Sequence, residues 1–220
     1  MAFPPVIAID GPSASGKGTI ARKLAGHFRF SHLDTGLLYR AVGLAVLDAS
    51  GDPADAEAAE QAALDLPAGG IERLLDNPAL REDRVSGAAS KVAAIPGVRA
   101  ALLKFQQDFC AHPPHNRPGA VLDGRDIGTV IAPQAPVKIY VTASVEARAE
   151  RRFKELQGRG ENATYAAVLA DMKERDARDV SRAIAPAKPA PDAVTLDTTN
   201  MTADEAFEAA VRIAEEKLQP

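Results

Sequence analysis

The feature that most constrains the fold is an apolar run that ends in a glycine-rich loop and continues as an amphipathic segment. Val6–Asp10 is the apolar run, and Gly11–Thr19 (GPSASGKGT) is the loop. Glycines let consecutive amide N–H groups point into one concavity, and the N-terminus of a following helix adds free amides and a positive dipole end. The pattern therefore predicts a strand, a phosphate-binding loop and a helix from Lys17 to about His27.

The loop is expected to bind the phosphates of a nucleoside triphosphate. A glycine-rich loop can also be an ordinary tight turn, but the flanking strand and helix are the context that the motif requires. The strict motif has Ser or Thr directly after the lysine, whereas Gly18 takes that place here, so Mg²⁺ would be held through water or by Thr19. The residues expected to bind the nucleoside triphosphate are Gly11, Pro12, Ser13, Ala14, Ser15, Gly16, Lys17, Gly18 and Thr19.

Composition and charge set limits on the class of protein. A chain of 220 residues, 46% of them hydrophobic, is long enough for one α/β domain with a buried core. The formal net charge of −4 argues against a general nucleic-acid-binding protein, whose domain would be basic. Cys110 is the single cysteine, which excludes an internal disulfide and a cysteine metal cluster. With no leader-like N-terminus and no stretch of membrane-spanning length, we expect a cytoplasmic protein without nucleic-acid or membrane partners.

Strand-like and helix-like segments alternate through most of the chain. This alternation predicts an α/β fold with a parallel sheet that helices cover on both faces. Pro67–Gly70 is expected to break the chain. Further strands are predicted at residues 28–33, 120–123, 137–142 and 193–197, and helices at 37–47, 55–66, 88–94, 98–109, from Ser144 to about Gln157, at 164–180, and after the capping box Thr202–Glu205.

A second anion site is predicted where the second strand ends. Tyr39 and Arg40 fall in the first turns of the next helix, close in sequence to the strand end where α/β sheets gather their ligands. Arg40 would clamp an anion there, or it would be a surface arginine beside a packing tyrosine. The segment alone leaves both interpretations open.

The segment Asp123-Gly124-Arg125-Asp126 follows an apolar strand. An aspartate that ends such a strand near a phosphate loop resembles a carboxylate that positions magnesium. The same four residues are also good turn chemistry. Two carboxylates and an arginine together at a strand end favour a functional loop over a plain turn.

An arginine-rich helical hairpin is predicted towards the C-terminus. Charged helical stripes are usually solvated faces. Phosphoryl transfer, however, needs a closing lid that excludes water and delivers arginines to the transferred group. The charged residues in question are Arg148, Arg151 and Arg152 on one face of the first helix, and Arg175, Asp179 and Arg182, with Arg178 beside them, on the second.

Other polar residues carry no signal of their own. Ser90 and Arg99 lie on helices, where each alone would be an ordinary exposed residue. The histidines have neither metal-ligand spacing nor a neighbouring nucleophile, so the sequence assigns them no role. They are His27, His32, His112 and His115.

Four ordered blocks resemble the bacterial cytidylate kinase family, whose members are P-loop nucleoside monophosphate kinases. The resemblance spans nearly the whole chain. It implies a P-loop NTPase-type sheet and an enzyme that phosphorylates CMP and dCMP with ATP by direct in-line transfer, with Mg²⁺ as cofactor. The blocks are Ile9–Ser13 with Gly16–Thr19, Leu33–Gly36 with Tyr39 and Arg40, Asp123–Val130, and Lys173–Asp176 with Arg178, Asp179 and Arg182.

The resemblance also implies roles for individual residues. Lys17 would bridge the donor and transferred phosphates, and Arg40 and Arg125 would clamp the monophosphate of the acceptor. Thr35 and Asp126 match positions near the acceptor sugar. The expected catalytic residues are Lys17, Arg125, Arg175 and Arg178. The positions that read the cytosine edge are matched by Ser90, Arg99, Asp179 and Arg182. The full set of expected acceptor-binding residues is Thr35, Tyr39, Arg40, Ser90, Arg99, Asp123, Arg125, Asp126, Asp179 and Arg182.

The resemblance implies a monomer with a single kinase domain over residues 1–220. Family members carry a small three-stranded insert in the monophosphate-binding region, and residues 66–86 are short and poor in strand-like alternation, so we expect an abbreviated insert. The expected parts are a core at residues 1–35, 118–152 and 183–220, a monophosphate-binding excursion at about 36–117, and a helical lid at about 153–182.

Two other functions stay open. A kinase for another small acceptor, such as UMP, AMP or shikimate, would share the loop and the lid, but Ser90, Arg99 and Asp179 argue against it. A GTPase-like nucleotide switch would carry a guanine-reading Asn-Lys-x-Asp sequence, which this chain lacks.

Overall fold

The computed structural model describes residues 4–66 and 74–219. The strands of this part form one sheet in the order β2-β3-β1-β4-β5. β1 pairs in parallel with β3 and β4, and β4 pairs in parallel with β5, so the predicted α/β fold with a parallel sheet is confirmed. The strands are β1 (Val6–Asp10), β2 (Ser31–Asp34), β3 (Ala120–Gly124), β4 (Val137–Thr142) and β5 (Val194–Asp197).

The helices follow the predicted pattern with shifted ends. The helix predicted from residue 98 begins at Pro96, because proline lacks an amide hydrogen and fits the first helical position. The helix predicted from Ala88 begins earlier, at Asp83, and the first helix continues to Phe28. The helices are α1 (Lys17–Phe28), α2 (Thr35–Asp48), α3 (Ala56–Leu64), α4 (Asp83–Val92), α5 (Pro96–Ala111), α6 (Val145–Gly158), α7 (Tyr165–Ser181) and α8 (Ala203–Leu218).

Side-chain caps fix several helix starts as the sequence predicts. Ser144 accepts a hydrogen bond from the amide of Ala147 at the start of α6. Thr202 and Glu205 form the predicted capping box of α8. Within the described residues, no helix is both long and apolar enough to cross a bilayer.

The central strands are buried on both faces, as a helix-covered parallel sheet requires. Every residue of β1 and of β3 is buried. On one face, Ile7 and Ile139 pack in a single cluster with Leu24 of α1 and Ala210 of α8. This packing fixes α1 against the sheet and so fixes the loop that precedes it.

The chain divides into two compact units. One consists of residues 1–33 and 110–220, and it contains β1, β3, β4 and β5. The other consists of residues 34–109, and Ala41, Leu44, Leu80 and Val85 form a buried cluster within it. The functional boundaries expected for the core, the monophosphate-binding region and the lid stay predictions.

The stretch expected to be abbreviated is helical where it is described. Pro78–Arg81 forms a 3₁₀ turn with Leu80 fully buried, and α4 follows directly. No strand occurs in residues 74–86. The predicted breaker at Pro67–Gly70 lies outside the described residues.

Two glycines determine the shape of the loop after β1. Gly11 has a φ of 152°, and a Cβ there would overlap the backbone carbonyl oxygen of Val141 in β4. Gly16 has a φ of 92° and caps α1, but a Cβ there would meet no atom within 4 Å. Gly11 is therefore constrained both by its backbone conformation and by the close approach of β4, whereas Gly16 is constrained by backbone conformation alone.

We predict that Gly11→Ala lowers the free energy of unfolding by about 3 kcal/mol or more, because the added methyl group forces backbone apart. Gly16→Ala is the matched control, with an expected loss of about 1–2 kcal/mol from backbone conformation alone. Urea unfolding of both variants measures the difference. Equal losses would contradict the steric role of Gly11.

Candidate active site

The phosphate-binding loop lies between the end of β1 and the first turn of α1, with Lys17 as the first helical residue. Two of its backbone carbonyl oxygens accept hydrogen bonds from residues that are distant in sequence. The hydroxyl of Thr198 donates to the carbonyl oxygen of Ser15 at 2.9 Å, and Arg148 donates to that of Ser13 at 3.3 Å. The Ser15 hydroxyl is buried without a hydrogen-bond partner among the described residues. The loop is thus held by long-range contacts from Thr198, the residue after β5, and from Arg148 of α6.

A cavity of about 300 Å³ adjoins the loop on the side of α8. Thr19, the residue expected as a possible magnesium ligand, lines this cavity. Arg151 lies in its wall and donates to the hydroxyl of Thr198 at 3.1 Å. The remaining lining residues are Ser15, Gly16, Ile20, Thr198, Met201, Thr202, Ala203 and Ala206.

Asp10, the last residue of β1, ties the phosphate loop to the loop after β3. Its carboxylate accepts hydrogen bonds from the backbone amides of Ile127 and Gly128, each at 2.8 Å. Burial raises the pKa of Asp10 to about 6, although both amides and the charge of Arg125 act to lower it. Asp10 therefore organises the segment that contains Arg125 and Asp126.

Asp123 has a partner that the sequence did not reveal. The Nε2 atom of His32 lies 2.8 Å from Oδ2 of Asp123, so the imidazole N–H donates to the carboxylate. Oδ1 of Asp123 lies 3.7 Å from the point where a Cβ of Gly18 would stand. Asp123 thus faces Gly18, the residue that takes the place of the usual Ser or Thr; its role as a carboxylate that positions magnesium stays a prediction.

Asp179 is buried between two arginines. Its carboxylate accepts from Nε of Arg125 at 3.1 Å and from the guanidinium of Arg182. Burial acts to raise the pKa of Asp179, but the charges of Arg125, Arg182 and Arg175 outweigh it and lower the pKa. Three of the predicted acceptor-binding residues therefore form one charged cluster.

The predicted arginine hairpin is formed by α6 and α7, which pack through Ala149, Leu156, Val168 and Met172. Arg148 of α6 makes a two-pronged ion pair with Asp176 of α7, with N–O distances of 3.1 and 2.6 Å. Arg178 pairs along its own helix with Glu174 at 2.5 Å. Arg148 thus has a structural partner that spacing alone does not indicate.

The other residues predicted to bind the acceptor, Thr35, Tyr39, Arg40, Ser90 and Arg99, lie in the unit of residues 34–109. Arg40 donates to the carbonyl oxygen of Leu80 at 2.7 Å and to the hydroxyl of Ser86 at 3.0 Å. The guanidinium carbon of Arg99 lies 5.4 Å from the centre of the Tyr39 ring. Thr35, Tyr39, Ser90 and Arg99 are buried, so neither Ser90 nor Arg99 is the exposed residue that its segment alone suggested.

A family model described as cytidylate kinase matches residues 7–216. The chain belongs to the cytidylate kinase family. The cytidylate kinase of Paramagnetospirillum magneticum is 59% identical over 94% of this chain and 96% of its own length. That of Rhodospirillum rubrum is 58% identical over 97% of this chain and 99% of its own length. The resemblance recognised in the four sequence blocks is confirmed, and the chain is a member of a kinase family.

Solved structures of low identity share the fold. A crystal structure of an uncharacterized protein from Eubacterium ventriosum has a TM-score of 0.53 at 14% identity and covers 96% of this chain and 98% of its own. A crystal structure of a Thermus thermophilus protein has a TM-score of 0.50 at 19% identity and covers the whole of both chains. At these identities the likeness extends to the fold alone.

Asp10 gives the stability of the protein a specific pH dependence. Because its folded-state pKa of about 6 lies above the ordinary aspartate value of 3.8, the folded state binds a proton more tightly than the unfolded state. Proton binding to Asp10 therefore stabilises the folded state. This stabilisation is fully present below about pH 4 and is lost as the pH rises through 6, which lowers the free energy of unfolding by about 3 kcal/mol. We predict that Asp10→Asn removes this loss, as urea unfolding from pH 4 to pH 7 would show.

Asp192→Asn is the control for this experiment. A hydrogen bond from Lys138 lowers the pKa of the exposed Asp192, so its contribution is lost as the pH falls. The two variants should therefore alter the pH dependence in opposite senses. Parallel curves for wild type and Asp10→Asn would contradict the assignment.

Proposed function

We propose that the protein transfers the γ-phosphoryl group of ATP to CMP and dCMP, forming CDP and dCDP, in a direct in-line reaction with Mg²⁺. The observation that carries the proposal is the buried Arg125–Asp179–Arg182 cluster, which lies in the same unit as the phosphate-binding loop. A phosphate loop alone supports nucleotide binding. A separate group of arginines around a buried carboxylate supports recognition of a second substrate.

The proposed ATP site consists of the loop and the adjoining cavity. The amides of Gly11–Thr19 and the ammonium of Lys17 suit the phosphates. The cavity of about 300 Å³ reaches the lower end of the range for small-molecule sites. Its wall combines apolar atoms of Ile20 and Met201 with polar groups of Arg151 and Thr198. We assign the adenosine of ATP to this cavity.

Asp123 is the residue near Gly18 that suits magnesium, while a guanidinium nitrogen of Arg22 lies 3.8 Å from the Cβ position of Gly18. Mg²⁺ in kinases keeps several waters and is held by one or two carboxylates and the substrate phosphates. Asp123 offers such a carboxylate beside Gly18, whereas Thr19 lines the cavity. We therefore favour the water-mediated alternative, with Asp123 as the anchoring group. When bound, the ion would neutralise the negative charge that develops on the phosphates during transfer.

The transfer step is mainly one of positioning and charge stabilisation. The transition state is loose, with negative charge on the peripheral oxygens of the transferred group, so it is stabilised by cations more than by covalent chemistry. Lys17 and Arg125 are the proposed catalytic cations, with Arg175 and Arg178 of α7 as the cations that a closing lid would bring. Closure would also keep water, a competing acceptor, away from the phosphoryl group.

Recognition of cytosine is assigned to Asp179. A buried carboxylate can accept a hydrogen bond from the exocyclic amine of cytosine, whereas uracil presents a carbonyl oxygen there and leaves the carboxylate unpaired. The arginines on either side keep Asp179 ionised and fix its orientation. Asp126 is assigned to the sugar and Arg125 to the acceptor phosphate.

The unit of residues 34–109 supplies a second set of acceptor-binding groups. We assign Arg40 to the acceptor phosphate, because its guanidinium is oriented by the carbonyl oxygen of Leu80 and the hydroxyl of Ser86. Thr35 is assigned to the sugar. Ser90 and Arg99 are assigned to the base, with Tyr39 packed against Arg99.

The test of the proposed function is ADP release from ATP and Mg²⁺ with CMP, dCMP, UMP, AMP, GMP or shikimate as acceptor. We predict turnover with CMP and dCMP at least about a hundredfold above the others, since a mismatched buried polar group discriminates strongly. A no-acceptor reaction is the control. Preference for another acceptor would overturn the substrate assignment, and release that no acceptor stimulates would overturn the kinase assignment.

We further predict that Asp179→Asn lowers kcat/KM for CMP about a hundredfold, because it replaces the charged acceptor of a buried hydrogen bond. The KM for ATP should change little. The ratio of kcat/KM for CMP to that for UMP should fall about tenfold or more, because the asparagine amide can donate to the uracil carbonyl. Steady-state kinetics with both nucleotides measures the two effects.

Asp108→Asn is a matched control, because Asp108 pairs only with the exposed Lys104 four residues away among the contacts that the structure describes. Asp108→Asn should leave kcat/KM for CMP and kcat/KM for UMP unchanged. If Asp179→Asn lowers the rates with CMP and UMP in parallel, Asp179 holds the two arginines in place without reading the base.

A further inference from the structure

His32 contacts Asp123, and Asp123 in turn lies beside Gly18 of the phosphate loop. His32 lies on the edge strand β2, and its side chain is one-fifth exposed. Its Nε2 atom lies 2.8 Å from Oδ2 of Asp123, whose side chain is almost fully buried. A carboxylate can only accept, so the ring nitrogen must be the donor.

This hydrogen bond constrains the orientation of the Asp123 carboxylate. The terminal torsion of an aspartate is broad, so burial alone does not decide where its two oxygens point. With Oδ2 held by His32, Oδ1 is directed towards Gly18, at 3.7 Å from the position of a Cβ there. The same point lies 3.8 Å from Nη1 of the exposed Arg22, so the carboxylate of Asp123 and the guanidinium of Arg22 both flank the space beside Gly18.

We propose that His32 is a positioning residue for magnesium: its imidazole N–H orients Asp123 so that Oδ1 anchors the hydrated ion beside Gly18. This role rests on the proposed function, and it compensates for the hydroxyl that the strict phosphate-loop motif carries after its lysine. His32 itself contacts neither the phosphates nor the ion. It acts through Asp123, as outer-shell donors act on metal-binding carboxylates.

The test compares variants that remove or keep the donor. His32→Leu removes it at similar volume, and His32→Gln keeps an N–H donor at nearly the same distance from the backbone. His32→Met repeats the donor-free arm with a more adaptable side chain, in case His32→Leu fails to fold. His112→Leu is the matched control at an exposed histidine.

Two measurements need no phosphoryl transfer. Electron paramagnetic resonance with Mn²⁺ gives the dissociation constant of the metal from the complex of the protein with ADP, and calorimetry with a chelator gives the affinity for metal-free ADP. We expect His32→Leu and His32→Met to weaken metal binding about tenfold. Metal-free ADP affinity should stay within twofold, as should both constants for His32→Gln and His112→Leu.

Three results would overturn the proposal. The first is unchanged metal binding in the donor-free variants. The second is an equal loss of metal-free ADP affinity, which would show a structural role for His32. The third is a loss in His32→Gln as large as that in His32→Leu, which would assign the effect to the ring and not to the donor. Because no acceptor is used, these results stand apart from the acceptor panel, whose failure would overturn the proposed function alone.

Discussion

The site depends on one buried carboxylate, that of Asp10. Asp10 is the last residue of the central strand β1, immediately before the phosphate loop. Its carboxylate accepts hydrogen bonds from two backbone amides of the segment after β3. A carboxylate removed from water is costly unless such donors compensate it, and the raised pKa shows that here they do so only in part. The cost is tolerated because this contact fixes the segment that carries Arg125 and Asp126 relative to the loop, which no surface contact would do as rigidly.

Charge pairs serve geometry more than stability in this protein. Burying an ion pair gains little net free energy, because desolvation offsets the attraction. Yet the two-pronged pair between Arg148 and Asp176 joins α6 to α7, and Arg148 also reaches the carbonyl oxygen of Ser13. Asp179 similarly restrains two arginines at once. Groups held in this way do not need to reorganise when negative charge develops during phosphoryl transfer, and that preorganisation is the main source of electrostatic catalysis.

The sequence predicts what local patterns encode. β4 has the predicted bounds, 137–142, because the run of β-branched and aromatic residues starts after Pro136 and ends just before the helix cap Ser144. The capping box at Thr202 marks the start of α8 equally clearly. The start of α4 was missed because Asp83 and Arg84 lack the apolar periodicity that the rest of the helix shows. The pair of His32 and Asp123 was missed for a different reason. Its members are separated by 91 residues in sequence, and only the pairing of distant strands brings them together. Asp10 lay within a recognised block, but its bonds to Ile127 and Gly128 likewise depend on tertiary structure.

The register of the sheet therefore determines the electrostatics of the site. β1 and β3 pair so that Ile9 lies opposite Asp123 and Asp10 lies opposite Gly124. Side chains alternate between the faces of a strand, so a slip of one residue would turn Asp123 away from Gly18 and place a glycine in its stead. The packing of β1 and β3 between helices on both faces opposes that slip, since it would put side chains of the wrong size into each layer of the core and leave the buried Asp123 carboxylate without its donor. The hydrophobic pattern that specifies the core thus also specifies where negative charge stands beside the phosphate loop.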